Sequence, residues 1–106
     1  MGDQRERVLL SPARINQLGF NWWSDYGVLA RLAVFDGEEV DLTATLARIE
    51  SELGSTEQAM SGAREFARTW NAPLDDVTAL EGDRENLADA ASHVRLIMRV
   101  AERRSR

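Results

Sequence analysis

The chain has 106 residues, 43% of them apolar and 29% charged, with a net charge of −5, no cysteine and, among its thirteen basic residues, no lysine. That length holds one domain with a modest core. The missing cysteines exclude disulfides, thiolate metal sites and thiol nucleophiles, and the missing lysines exclude Schiff-base chemistry. The acidic balance disfavours nucleic acid as a partner, and no apolar run approaches the roughly 20 residues that span a bilayer.

Residues 1–10 read as a polar, flexible N-terminal segment. Its start, Met1 to Arg7, lacks the apolar stretch of a secretory signal, so cytoplasmic localisation is the expectation. Ser11-Pro12 is a helix start, with serine as N-cap and proline where its missing N–H costs nothing. From there Ile15, Leu18, Trp22, Tyr26, Leu29 and Ala33 form one helical stripe, and Phe20, Trp23, Val28, Leu32 and Phe35 form a second beside it. A helix apolar over that much of its circumference is buried on more than one side. Trp22 falls on the first stripe and is the expected core ring. Trp23 falls on the second, which one chain cannot easily cover. A break at Gly19, with Asn21 as a new N-cap, is the alternative to a continuous helix.

Asp36-Gly37 ends this segment. The alternation of Val28, Ala30, Leu32 and Val34 before it, and of Val40 and Leu42 after it, also fits a β-hairpin. Helix is preferred, because the second strand would be only a few residues long and an isolated hairpin is marginal in water. Asp41 then caps a helix with Leu42, Leu46, Ile49 and Leu53 on one face and Gly54 as its stop. Ser55-Thr56-Glu57-Gln58 matches a capping box and opens a further helix through Met60, Ala63, Phe66, Ala67 and Trp70, closed by Asn71-Ala72-Pro73. Leu74, Val77 and Leu80 form a short amphipathic piece that Gly82-Asp83 can separate from the last helix.

That last helix is the clearest element. Leu80, Leu87, Val94 and Ala101 recur every seven residues, with Ala91 and Met98 between them. Acids lead it and arginines finish it, both favourable with the helix dipole. Together these elements predict an all-α domain over residues 11–104: a small bundle of about four helices with a long amphipathic C-terminal helix, associated with a second copy or with a larger protein.

Catalytic constellations are few. His93 is the single histidine, so one chain can build neither a histidine metal cage nor a two-histidine proton relay. Its expected place is the rim of the core. Glu38-Glu39 and Asp75-Asp76 are explained by helix capping, and no phosphate loop or zinc spacing appears, so no cofactor is expected. The favoured reading is a non-catalytic protein–protein interaction module, an adaptor, assembly factor or regulator. Its expected interface is Phe20, Trp23, Val28, Leu32 and Phe35, with Arg95, Arg99 and Arg103 as a charged rim. One alternative is a helix-turn-helix regulator over residues 46–68, in which Gln58, Ser61 and Arg64 reach base edges and Arg68 a phosphate. Another is a small enzyme using Asp25, Tyr26 and an arginine at a subunit boundary, which has only residue types in its favour.

Overall fold

A computed structural model describes residues 7–21 and 27–104. Its described elements are β1 (Leu9–Leu10), α1 (Pro12–Gln17), α2 (Gly27–Leu32), β2 (Phe35–Asp36), β3 (Glu39–Asp41), α3 (Leu42–Trp70) and α4 (Asp75–Arg104). Helix therefore dominates, as the periodicity requires, but the chain is not purely helical. The three strands form one antiparallel sheet in the order β1-β3-β2.

The sheet exists because β3 is paired on both sides. Asp36 faces Glu39 and Phe35 faces Val40 across a two-residue loop at Gly37, which takes φ +67° as hairpin loops of this length demand. On the other side Leu9 faces Asp41 and Leu10 faces Val40. The hairpin, too short to stand alone, is thus present after all, rescued by a third strand from the segment expected to be a free polar N-terminus. Residues 28–32, which alternate like a strand, are helical instead.

The first turn of α3 locks the sheet in place. Asp41 caps the helix by accepting from the Ala44 N–H at 3.0 Å. Thr45, fully buried, donates to the Asp41 carbonyl at 2.7 Å and accepts from the Val34 N–H at 2.9 Å, while Thr43 accepts from the Val8 N–H at 3.2 Å. Arg7 reaches across to the carboxylates of Asp36 at 2.6 Å and Asp41 at 3.0 Å. Its hydrogen bonds to Asp36 and then Asp41 raise its pKa above the ordinary arginine value.

The expected helix from Pro12 to Phe35 is broken. α1 begins as anticipated, with Ser11 accepting from the Arg14 N–H at 3.1 Å, but it ends at Gln17 and Gly19 follows with φ +99°. An L-residue pays a steric penalty for that conformation and glycine does not, so the glycine is where the chain turns. The Trp22-Trp23 pair, Asp25 and Tyr26 lie outside the described residues.

Two helices expected over residues 42–70 are one. α3 passes through Gly54 and Ser55 without interruption and closes at Asn71, whose left-handed φ of 51° ends it before Pro73. The packing explains why the local stop signal fails. Leu42, Thr45, Ile49, Met60 and Ala67 are buried along α3, and Leu53, Thr56 and Ala63 are half-buried between them, so a 3-4 seam runs the length of the helix. Gly54 lies outside that seam, exposed. Its propensity cost of about 1 kcal/mol is smaller than the burial the seam gains by continuing. α4 likewise runs through Gly82, joining the short piece at Leu74 to the last helix.

α3 and α4 pair antiparallel as a long hairpin. Ion pairs cross it at Glu50 with Arg95 (2.6 Å), Glu57 with Arg84 (3.1 Å) and Arg64 with Glu81 (3.3 Å). The α3 members lie at intervals of seven residues, as one flank of a continuous seam requires. α3 alone is about 44 Å long at 1.5 Å per residue, in a molecule of 56 × 36 × 24 Å.

The core lies at one end of the hairpin. Ile15, Leu29, Leu32, Val40, Leu42 and Ile49 pack there against Leu87, Ala90, Ala91, Val94 and Ile97 of α4. Burying each larger side chain contributes roughly 1.5–3 kcal/mol. Met60, Ala67 and Val77 are buried outside this cluster, farther along the hairpin, where α3 and α4 cover one another. The molecule is a globular base with a two-helix arm. Among the described residues no helix is long and apolar enough to cross a membrane.

Candidate functional site

Among the described residues, three of the five large apolar side chains left exposed lie at the arm's end, the other two being Phe35 on β2 and Leu96 on α4. Phe66 is 60% exposed, Trp70 70% and Leu74 58%. Phe66 and Trp70 are one helical turn apart on α3 with ring centroids 6.4 Å apart, and Leu74 stands in the connection to α4. Local sequence makes this tip. Asn71 and Ala72 both donate to the Ala67 carbonyl, Pro73 cannot continue a helix, and the Thr78 hydroxyl bonds the Leu74 carbonyl at 3.1 Å as α4 begins.

Beside the Phe66 ring lies an open depression of about 380 Å³, floored by Ala63 and Val77 and walled by Phe66 and Pro73. Asp75 and Asp76 stand at its mouth. Both occupy the first turn of α4, where the helix dipole favours carboxylates.

The interface residues expected from sequence lie elsewhere and do not form one open face. Leu32 is 2% exposed and belongs to the core, a correction with a plain cause: α2 turns it inward against α3 and α4. Phe20 and Val28 are half-buried against the same core. Phe20 meets His93 edge-on at 5.6 Å, which places the histidine at the rim of the core as expected. Phe35 is 46% exposed on the hairpin strand β2, and Trp23 lies outside the described residues. Arg95 pairs with Glu50. Arg99 and Arg103 are exposed near the end of α4, and Arg99 lines a cleft of about 540 Å³ with Arg7, Leu10 and Met98.

The helix-turn-helix over residues 46–68 is not formed, because its intended turn at Gly54 is helical. Gln58, Ser61, Arg64 and Arg68 are exposed along one continuous helix. Arg64 bonds Glu81, and Arg68 bonds Glu65 one turn away. Among the described residues no group of histidine and carboxylate side chains converges as a metal site would require.

Phe66 and Trp70 are plain in the sequence, but their spacing there suggests part of a buried face. The distinguishing signal is that α3 carries two adjacent apolar stripes in its second half. Met60 and Ala67 take the seam, while Ala59, Phe66 and Trp70 form a second stripe that meets the seam at half-buried Ala63, and a helix that packs on one neighbour can bury only one.

The architecture defines the class: a mostly helical protein in which a long antiparallel hairpin rises from a small helix-and-sheet base and ends in an aromatic tip. Comparison of the chain with protein-family models, with curated proteins and with solved structures gives no match in any of the three.

Proposed function

We propose that this protein is a non-catalytic interaction module, an adaptor or assembly factor, that engages another protein through the tip of its α3–α4 arm. The observation that carries the reading is the exposure of the paired rings of Phe66 and Trp70, with Leu74 exposed in the same turn, at the end of a projecting element. With aromatic side chains of 150–250 Å², those exposures amount to on the order of 350 Å² of apolar surface. Patches of that size on a monomer are commonly binding sites, and aromatic residues are enriched where interfaces have their strongest contacts. A solvent-exposed tryptophan also gains nothing for the fold that a polar residue would not supply.

The position of the patch matters as much as its area. The base already holds a core of its own, so the arm can change partners without disturbing it. About 350 Å² is less than half of the roughly 800 Å² that each side of a standard interface buries, so a tip-to-tip pair of copies would be weak. A larger partner that also contacts the sides of the arm fits better.

Site-specific photo-crosslinking tests this. Trp70→p-benzoylphenylalanine, expressed in the native host, is expected to give a discrete adduct with another protein. Ser61→p-benzoylphenylalanine, exposed on the opposite side of α3, is expected to give none. The absence of an adduct from position 70, or the same set of adducts from both positions, would remove the reading.

A further inference from the structure

The hairpin has one face that its own chain covers for half its length and then leaves open. At the base, α2 lies across this face. Val28 and Arg31 of α2 meet Glu52 and Thr56 of α3 and Asp83 and Asn86 of α4 around a small recess, and Arg31 bonds Glu52 at 3.3 Å. Towards the tip the same α3 stripe continues through Ala59, Ala63, Phe66 and Trp70, spaced four and three residues apart as a single helical face must be. The α4 side continues from Asp83 through Ala79 and Asp76. Ala59, Ala79, Asp76 and Asp83 are exposed, and the depression floored by Ala63 and Val77 lies in this open half.

The chain shows what this face accepts. α2 is a short amphipathic helix that turns Leu29 and Leu32 into the groove and sets an arginine against an acid on its rim. Beyond α2 the rim is again acidic, with Asp83, Asp76 and Asp75. The arginines of this stretch, Arg64, Arg68 and Arg84, are held in pairs with Glu81, Glu65 and Glu57, and Arg64, Arg84 and Glu57 line a separate recess with Met60. The open length, from Thr56 to Trp70, is about 21 Å, equal to a helix of about 14 residues.

We infer that the open half of this face is a groove for an amphipathic helix of a partner protein, one with an apolar stripe for Ala63, Phe66 and Trp70 and with lysine or arginine facing Asp76 and Asp83. This is helix-in-groove recognition, continuing along the hairpin the contact that α2 makes at its base. The inference rests on the reading of the arm as a partner-binding element and specifies what the arm binds. It also supplies the area the tip lacks, because a four-turn helix laid from Thr56 to the rings covers the flank as well as the end.

The probes are two synthetic 14-residue helical peptides with the same leucine stripe, one flanked by lysines and its twin by glutamates, titrated into 15N-labelled full-length protein. The lysine peptide is expected to bind at least tenfold more tightly than its twin and to shift amides of residues 56–70 and 76–83. Asp76→Arg combined with Asp83→Arg should reverse the preference, with circular dichroism confirming that the variant keeps its helix content. Binding of neither peptide, equal binding of both, a preference that survives the reversal, or shifts centred elsewhere would each overturn the inference. So would concentration-dependent doubling of mass with broadening at the same amides, which would show a second copy of this chain in the groove. A crosslinked partner at position 70 together with failed peptides leaves the interaction reading standing and removes only the helix. Loss of the adduct removes the interaction reading and, with it, the partner helix that rests on it, whatever the peptides do.

Discussion

Alanine at Gly54 should make the protein more stable. In a helix interior glycine is less favourable than alanine by about 0.8–1 kcal/mol, because it has more backbone freedom to lose. Gly54 lies inside α3 without a positive φ, and a Cβ built on it meets nothing within 4 Å. The same holds for Gly62 in α3 and Gly82 in α4. No clash offsets the gain, so Gly54→Ala is expected to add about 1 kcal/mol and the triple variant roughly 2–3 kcal/mol. For a domain of this size the triple change corresponds to a rise in Tm on the order of 10 °C. Urea denaturation followed by circular dichroism at 222 nm measures it, with the midpoint moving up by about 1–2 M at unchanged slope. Gly37→Ala is the control of opposite sign, since φ +67° penalises any Cβ by about 1–2 kcal/mol. A destabilising Gly54→Ala would mean that the chain turns at Gly54 in a left-handed conformation. The continuous arm would then be wrong, and with it everything placed on the arm's far end.

Other substitutions test the joints of the base and the independence of the tip. Leu32→Ala should cost about 2–5 kcal/mol in denaturant unfolding, as deletion from a closed core does, whereas an interface role would leave stability nearly unchanged. Thr45→Val keeps the shape but leaves the part-buried Val34 N–H without its acceptor, for an expected loss of about 1–3 kcal/mol by the same assay. Asp41→Ala removes both the α3 cap and one of the two carboxylate partners of Arg7 and should cost about 2 kcal/mol, while Asp41→Asn, which can still cap, should lose clearly less. Trp70→Ala should change stability by less than about 1.5 kcal/mol, because only the minor part of the ring is covered.

The readability of the chain follows the range of the interactions. α4 is legible because its seam is written in local spacing: Leu87 and Val94 are buried, Leu80 and Ala101 half-buried, and acids and arginines stand at the ends that suit them. The start of α3 at Asp41 and its stop at Asn71 are legible for the same reason, since a cap is a contact with residues three or four places away. Gly54-Ser55 misleads because its local signal is real but weak, and a seam shared with α4 overrides it. β1 is illegible: two leucines carry no period, and their partners lie some thirty residues away on β3. The hairpin at Asp36-Gly37 is written in the turn but looks unstable without that third strand. For the site, residue identity is legible and location is not. Whether Phe66 and Trp70 are covered depends on how far α2 and the core extend along the hairpin. That is a property of the assembled base, and it also decides that Leu32, on the same kind of stripe, is inside.

If the tip of the arm binds a partner, its apolar side chains serve binding and not folding. Leu74→p-benzoylphenylalanine, crosslinked in the native host with Trp70 present and with Trp70→Ala added, tests this most directly. The expected result is a discrete adduct that falls at least tenfold when Trp70 is removed, while circular dichroism and the urea midpoint of the doubly substituted protein stay close to those of the single variant. An adduct that persists at full yield without Trp70, or an arm that unfolds when the ring is removed, would contradict it.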